Sequence, residues 1–134
     1  MLRACRRLLR PAGKIAFYTI FIPSGLSEAA YRRAARAGPS AVTSRRRQQV
    51  DLLRSAGFNA VRETDVTEAF LRATRAWYEA RARYAGQLSQ AEGEASFHER
   101  QRDYRLQARA IEAGLLRRAL FVGERAVDRA ARVL

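Results

Sequence analysis

Residues 14–22 carry the clearest hydrophobic pattern of the sequence, because apolar side chains fall on both faces of an extended chain. One face holds Ile15, Phe17, Thr19 and Phe21, and the other holds Ala16, Tyr18, Ile20 and Ile22. A strand that is apolar on both faces belongs in the middle of a sheet. We therefore expect an interior strand with one neighbour from later in the chain and the other from outside residues 1–134, as in the second half of a larger α/β domain.

The residues before this strand predict a short helix and a tight turn. Leu2, Cys5 and Leu9 lie at helical spacing in the basic segment 1–10. Pro11 ends this helix, because its ring removes a backbone donor and clashes with the preceding turn. The glycine two residues later completes the reversal into the strand.

The rest of the chain alternates between helical and strand-like periodicity. The pattern predicts helices at 28–37, 44–56, 67–88 and 97–113, and strands at 59–66 and 115–124. Ser44 and Thr67 are candidate helix N-caps, and Gly57 fits the residue after a helix end. The strand at 59–66 is more polar than the first, so we expect it at or near an edge of the sheet.

Two of the predicted helices are expected to bury one apolar face each. In the long helix this face holds Phe70, Trp77, Tyr84 and Leu88, widened by Leu71, Thr74 and Tyr78. After a polar turn at 89–95, the face of the next helix holds Phe97, Tyr104, Ala108 and Ile111. Strands that alternate with helices in this way indicate an α/β layer architecture.

Composition indicates one globular domain, residues 1–134, and leaves the partner open. Hydrophobic residues make up 48% and charged residues 29% of the chain, which excludes disordered and collagen-like proteins. The net charge of +13 favours nucleic acid, an anionic membrane or an acidic substrate as a partner. However, only Lys14 among the 26 basic residues is a lysine, and the arginines are spread along the chain. Solvated helix faces explain this distribution, so nucleic-acid binding is the less favoured alternative.

The cysteine and histidine content bounds the chemistry and the compartment. Cys5 is the only cysteine and is interpreted as a small core residue, and with His98 as the only histidine a zinc site of the usual spacing is excluded. No apolar run approaches the roughly 18–20 residues of a membrane helix. A basic start followed by residues 15–22 resembles a signal peptide, although Tyr18 and Thr19 interrupt it. We expect a cytoplasmic protein, with a cleaved signal or transit peptide as the minor alternative.

Several segments in order carry a resemblance to a known family. They are Leu8-Leu9-Arg10-Pro11-Ala12-Gly13-Lys14, the strand that follows, Leu52-Leu53-Arg54-Ser55-Ala56-Gly57-Phe58, Glu63-Thr64-Asp65-Val66-Thr67 and Arg118-Ala119-Leu120-Phe121-Val122-Gly123-Glu124-Arg125. This series resembles the C-terminal half of a class I S-adenosylmethionine-dependent methyltransferase. The resemblance implies an α/β fold, the C-terminal part of a Rossmann-like domain. It has a three-stranded mixed sheet, packed helices and a helical insertion at 67–113. It also implies that the last strand runs antiparallel and lies between the other two.

The sequence departs from the family pattern in two places. Ala12 stands where the family usually has a glycine. In a type II turn this position has a positive φ, which strains an alanine, so the turn is either a strained type II turn or a type I turn. The Gly-rich loop and the acidic residue that hold the cofactor in the family have no counterpart in residues 1–134. The resemblance thus implies S-adenosylmethionine as cofactor, no cofactor-binding residue in this chain, and a partner that supplies the N-terminal half.

The resemblance places the acceptor site near the carboxyl end of the first strand and in the segments that follow. Thr19 and Phe21 lie at that end, Tyr31 lies in the next helix, and Trp77 and Tyr78 lie in the helical insertion. These five are the candidate substrate-binding residues. For Phe21, Trp77 and Tyr78, packing in the core is the favoured interpretation. Thr19 is balanced between packing and substrate binding, and an ordinary surface position is the alternative for Tyr31.

Other candidates have plainer explanations. Gly38-Pro39 either closes over the pocket or forms a surface connection, and His98, a possible general base, has no evident partner. Asp65 is better explained by helix capping. The cluster Arg45–Arg47 opposes the helix dipole, which solvation can offset.

The sequence therefore predicts methyl transfer to an unidentified small-molecule or lipid-like acceptor. Catalysis in this family is largely the positioning of the acceptor atom, so no catalytic residue is assigned. The alternative is an Arg-rich nucleic-acid-binding module without catalysis.

Overall fold

The computed structural model describes residues 1–39, 43–44 and 49–128. The elements in these ranges are α1 (Leu2–Leu8), β1 (Lys14–Ile22), α2 (Glu28–Ala37), β2 (Thr43–Ser44), α3 (Gln49–Ser55), β3 (Phe58–Asp65), α4 (Thr67–Arg83), α5 (Ala85–Glu92), α6 (Glu94–Glu112) and β4 (Arg117–Arg125). The bounds of β1 and α2 agree with the sequence prediction, and the predicted strands at 59–66 and 115–124 correspond to β3 and β4.

The strands form one mixed sheet in the order β2-β1-β4-β3. β1 and β2 pair in parallel through Phe21 and Ile22, whereas β3 and β4 pair antiparallel. The backbone N–H of Arg125 donates to the carbonyl of Gly13 at 2.8 Å, so the end of β4 lies beside the start of β1. The expected insertion of the last strand between the other two, and the edge position of β3, are confirmed. β2 adds a fourth, two-residue strand to the three that were expected.

The chain divides into two compact units, of which the first lies within residues 1–19, 45–65 and 119–134. Its core is apolar: Leu53, Phe58 and Phe121 are buried, and the rings of Phe17 and Phe121 stack with their centroids 5.5 Å apart. α3 packs on β3. Gly57 joins these two elements with a φ of 92°, as predicted for the residue after a helix end.

The second unit lies within residues 20–44 and 66–118 and is mainly helical. α6 packs against α2, α4 and α5. Its core cluster is formed by Ile22, Ala34, Phe70, Ala110, Ile111, Leu115 and Leu116. Gly114 ends α6 with a φ of 75°, and the N–H groups of Gly114 and Leu115 donate to the carbonyls of Ile111 and Ala110. This pairing is a Schellman motif, which satisfies carbonyls that the end of a helix leaves open.

The long helix expected over 67–88 is two helices. α4 ends at Arg83 and α5 begins at Ala85, because Tyr84 has φ −105° and ψ 30°, outside the helical range. α5 continues to Glu92, so the polar turn expected at 89–95 reduces to Gly93. The sequence pattern does not show this break, because helix-forming residues stand on both sides of it. A change in the backbone at one residue leaves the hydrophobic periodicity unchanged.

The N-cap prediction for Thr67 is wrong, whereas the one for Ser44 stays a prediction, because residues 45–48 lie outside the described residues. Ser44 lies in β2 opposite Ile22, where its backbone pairs with β1, and the helix near it is described from Gln49 onward. Thr67 is the first residue of α4 rather than its cap. Its hydroxyl accepts a hydrogen bond from the N–H of Arg118 at 3.1 Å, which ties the start of the helix to β4.

The buried face of α4 also differs from the predicted one. Trp77 and Tyr84 are 61% and 53% exposed, whereas Phe70, Thr74 and Arg81 are buried. The hydroxyl of Thr74 donates to the carbonyl of Phe70 at 2.9 Å, and Arg81 is fully paired, as described below. Polar side chains can occupy a buried face when their hydrogen bonds are satisfied. The buried face of α4 is therefore rotated about the helix axis relative to the apolar stripe that the sequence predicts.

The prediction that both faces of the first strand are buried is wrong for the described residues. Phe21 and Ile22 at its end are buried, but Ala16 is exposed and Tyr18 is 57% exposed. The preceding helix has no buried residue: Leu8 is 88% exposed, and Cys5 is half-buried rather than in the core. Apolar residues on both faces of a strand allow burial of both faces but do not ensure it. In the first part of β1, the face that holds Ala16 and Tyr18 is exposed to solvent.

Candidate functional site

The two candidate residues of β1 lie in different compact units. Thr19 is half-buried in the first unit. Phe21 is 8% exposed in the second unit, where its backbone pairs with Thr43. Packing therefore takes up most of the surface of the Phe21 ring.

Trp77 and Tyr78 face different surroundings, although they are adjacent on α4. Trp77 lines an open apolar cavity of about 380 Å³ together with Ala80, Arg81, Tyr84, Gln87 and Leu88. The hydroxyl of Tyr78 instead accepts a hydrogen bond from Arg105 at 3.2 Å, and that guanidinium lies 5.7 Å from the ring centroid. Successive helix residues are about 100° apart, so one pocket wall cannot use both side chains equally.

The other candidates of the second unit lie on or after α2. Tyr31 is exposed and lines neither of the two cavities described for this unit. Gly38 and Pro39, which directly follow the helix, do line a cavity. Gly38 and Pro39 therefore lie in a concave surface of the second unit.

This second cavity, which we call the arginine cavity, has a volume of about 460 Å³. It is lined by Arg36, Ala37, Gly38, Pro39, Arg81, Arg100, Asp103, Tyr104, Leu106 and Gln107. Three elements contribute: the end of α2 and its following residues, α4, and the middle of α6. The volume lies within the usual range of about 300–1,000 Å³ for small-molecule sites.

A buried ion pair fixes one wall of the arginine cavity. Arg81 donates to both carboxylate oxygens of Glu92, at 2.9 and 2.7 Å, and its Nε donates to Gln101 at 3.2 Å. Its side chain is only 10% exposed, and its guanidinium lies 5.4 Å from the ring centroid of Phe97. Arg100 donates to the same carboxylate at 3.0 Å. Two guanidinium groups therefore share one carboxylate, which joins α4, α5 and α6.

The protonation states of this pair are held by its hydrogen bonds. The bonds from Arg81 lower the pKa of Glu92 below its ordinary value, against the opposing effect of burial, and the charge of Arg100 adds to the lowering. The bonds to Glu92 also raise the pKa of Arg81. Both groups are charged near neutral pH, as expected of a bidentate arginine–carboxylate pair.

The remaining candidates do not assemble into a reactive centre. His98 is exposed and its Nε2 lies 3.9 Å from Glu94, and Asp65 pairs with Ala119 at the end of β3. The cluster Arg45–Arg47 lies outside the described residues. Within the described ranges, His, Cys, Asp and Glu side chains form no group of three or more able to hold a metal ion.

A membrane-spanning helix is likewise not found. Of the helices within the described residues, none has the length and apolar character needed to cross a bilayer.

Sequence reasoning missed the residues that build the arginine cavity. One available signal was the spacing of Phe70, Thr74 and Arg81, which places an arginine on the face of a helix that is otherwise buried. The contribution of Arg36 and Arg100 carried no such signal, because both look like ordinary exposed helix residues.

The fold matches solved structures of S-adenosylmethionine-dependent methyltransferases at low sequence identity. The phosphoethanolamine N-methyltransferase 2 of Haemonchus contortus, in complex with phosphomonomethylethanolamine and S-adenosylhomocysteine, matches with TM-score 0.78 and 13% identity, over 94% of this chain and 29% of that chain. The cyclopropane synthase MmaA2 of Mycobacterium tuberculosis matches with TM-score 0.76 and 14% identity, over 92% and 48%. The chain therefore has part of the class I, Rossmann-like methyltransferase fold.

Proteins of different activities share this fold. The cyclase SpnF matches with TM-score 0.62 and 14% identity, over 95% of this chain and 43% of that chain. This chain thus spans less than half of each of these three proteins. No protein-family model and no curated protein sequence matches it. One fold can host several reactions, so the likeness shows the fold and not the activity.

Proposed function

We propose that this chain forms the acceptor-side part of an S-adenosylmethionine-dependent methyltransferase. The observation that carries the proposal is the sheet order, in which the antiparallel β4 lies between β1 and the edge strand β3. The TM-scores of 0.78 and 0.76 to a phosphoethanolamine N-methyltransferase and a cyclopropane synthase support it further.

The described residues do not fit the cofactor by themselves. In open α/β sheets the ligand lies beyond the carboxyl ends of the parallel strands. The parallel strands here, β1 and β2, end in Ile22 and Ser44, neither of which offers a carboxylate for the ribose hydroxyls. Gly25, which follows β1, has a φ of 85°, so its backbone conformation accounts for a glycine at this position. The cofactor contacts are therefore proposed to come from residues outside 1–134.

A second polypeptide segment has a natural place on β1. β2 pairs only with the last two residues of this strand, Phe21 and Ile22. Among the described strands, the neighbour of β1 on this side is β2, which is two residues long against nine for β1. A strand edge presents unpaired N–H and C=O groups that another strand can complete. We propose that the cofactor-binding part of the domain pairs here.

The proposed acceptor is a small molecule or a lipid-like compound. Thr19, Phe21, Tyr31, Trp77 and Tyr78 remain its predicted contacts, and the exposed Trp77 ring offers apolar area for such a ligand. The protein's contribution to the reaction is to hold the acceptor atom in line with the donated methyl group.

A methyl-transfer assay tests this function. The chain is produced together with the polypeptide encoded directly upstream of the Met1 codon and supplied with methyl-tritiated S-adenosylmethionine and pools of amines, organic acids and lipids. We expect labelled product only when both polypeptides are present. Transfer by the upstream polypeptide alone, or absence of labelled product when both are present, would contradict the proposal.

A further inference from the structure

We propose that the arginine cavity binds a small organic anion, one that joins a carboxylate or phosphate group to a compact apolar part. The inference rests on the geometry of this cavity in the second unit and is independent of methyl transfer. Its lining combines arginine side chains with apolar surface.

The charge of the cavity is unbalanced by its own residues. The lining contains the guanidinium groups of Arg36, Arg81 and Arg100 and the carboxylate of Asp103, and Glu92, outside the lining, pairs with two of these arginines. One positive charge is left in excess. An anionic ligand therefore offsets this excess.

In the part of the chain that the structure describes, the donors of Arg36 are all free, whereas Arg81 and Arg100 already donate to Glu92. It stands in the last turn of α2 and is exposed, and no acceptor within the described residues bonds to it. Arginine presents several N–H donors in a planar fork that matches carboxylate and phosphate oxygens. Arg81, in contrast, is held in place by Glu92 and Gln101, so it supplies a preorganised charge without moving.

The apolar part of the ligand has its own surface in the cavity. Ala37 and Pro39 line it beside Arg36, and Leu106 of α6 lines it while remaining 41% exposed. Covering this half-exposed leucine with an apolar group is favourable, because it removes apolar surface from water. Inorganic phosphate alone would leave this surface in water.

Calorimetric titration of the chain with phenyl phosphate tests the proposal, with inorganic phosphate and phenol as partial probes. We expect saturable binding of phenyl phosphate and weaker binding of each partial probe. Arg36→Gln should weaken phenyl phosphate binding by about tenfold or more, as expected for lost hydrogen bonds to a charged group. Arg36 is exposed and unpaired, so this variant is expected to fold normally.

Arg33→Gln is the matched control, because it removes the same charge from an exposed position of α2 outside the cavity. It should change the affinity by less than about twofold, since exposed charges at a distance are screened by salt. Equal weakening by the two variants would show binding to diffuse positive charge and overturn the proposal. Absence of saturation up to about 10 mM, an affinity too weak for a formed site, would also overturn it.

Leu106→Ala tests the apolar part separately. We expect phenyl phosphate to bind about threefold to tenfold more weakly to this variant, in line with lost apolar contact, and inorganic phosphate to bind as before. Unchanged binding of both probes would overturn the assignment of the apolar part to this wall.

Discussion

Ala12 adopts a φ of 61° in the turn that leads into β1. The N–H of Gly13 donates to the carbonyl of Arg10 at 2.9 Å, so Ala12 is the third residue of a four-residue turn with Pro11 second. A positive φ at this position is the mark of a type II turn. Of the two alternatives that the sequence left open, the strained turn is therefore the one found.

Replacing this alanine should stabilise the protein. Ala12→Gly removes a backbone cost of about 1–2 kcal/mol for a left-handed alanine, partly offset by the greater freedom of glycine in the unfolded chain. We expect a net gain of about 0.5–1 kcal/mol in the free energy of unfolding, measured by urea denaturation. Ala16→Gly, at an exposed and ordinary strand position, should instead lose a similar amount. A loss of stability in Ala12→Gly would contradict the strained turn.

The exposed Trp77 and the buried Phe70 give opposite predictions on one helix. Phe70→Ala should lower the free energy of unfolding by about 3–5 kcal/mol, because it leaves a cavity in the core. Trp77→Ala should lower it by less than about 1 kcal/mol, as is usual for surface positions. Chemical denaturation of both variants measures the difference. Comparable losses of stability in the two variants would instead support the sequence prediction that both side chains are buried.

At the scale of elements, agreement between sequence and structure depends on how local the determining interaction is. β1 and α2 have the predicted bounds, because turn residues and capping groups close to them decide where they begin and end. Ser27, for example, accepts a hydrogen bond from the N–H of Ala30 at 3.1 Å at the start of α2. The spacing on α4 indicates a buried Arg81, but its partners, Glu92 in α5 and Gln101 in α6, could not be predicted because they come from other helices.

The Arg81–Glu92 pair predicts a pH dependence of stability. The pKa of Glu92 is lowered in the folded state, so the pair's contribution is fully present above the unfolded-state pKa and is lost as the pH falls through the folded-state pKa. Glu92→Gln should lower the Tm at about pH 7, and the difference from the unmodified chain should shrink towards about pH 3, the range in which carboxylates protonate.

Glu99→Gln is the control for this titration, because Glu99 is an exposed carboxylate on α6. Its Tm should stay close to that of the unmodified chain across the same range. A Tm difference for Glu92→Gln that does not change with pH would mean that the pair contributes through packing rather than charge.

At the scale of the whole molecule, the sheet order was predictable and the arginine cavity was not. Periodicity gave the strands, and the resemblance carried by segments such as Leu52–Phe58 and Arg118–Arg125 supplied their order. The cavity joins Arg36, Arg81 and Arg100, which are 64 positions apart from first to last in the sequence. Only the packing of α2 and α4 on α6 brings them together. Such long-range convergence leaves no trace in local periodicity.

The affinity for S-adenosylhomocysteine, measured by calorimetry, tests the central claim most directly: that this fold is completed by cofactor-binding residues outside 1–134. For the chain alone we predict no saturable binding, with a Kd weaker than about 1 mM. Together with the polypeptide encoded directly upstream of the Met1 codon, we predict binding with a Kd of about 1–100 µM. Micromolar binding by residues 1–134 alone, or no binding by the two polypeptides together, would contradict the account.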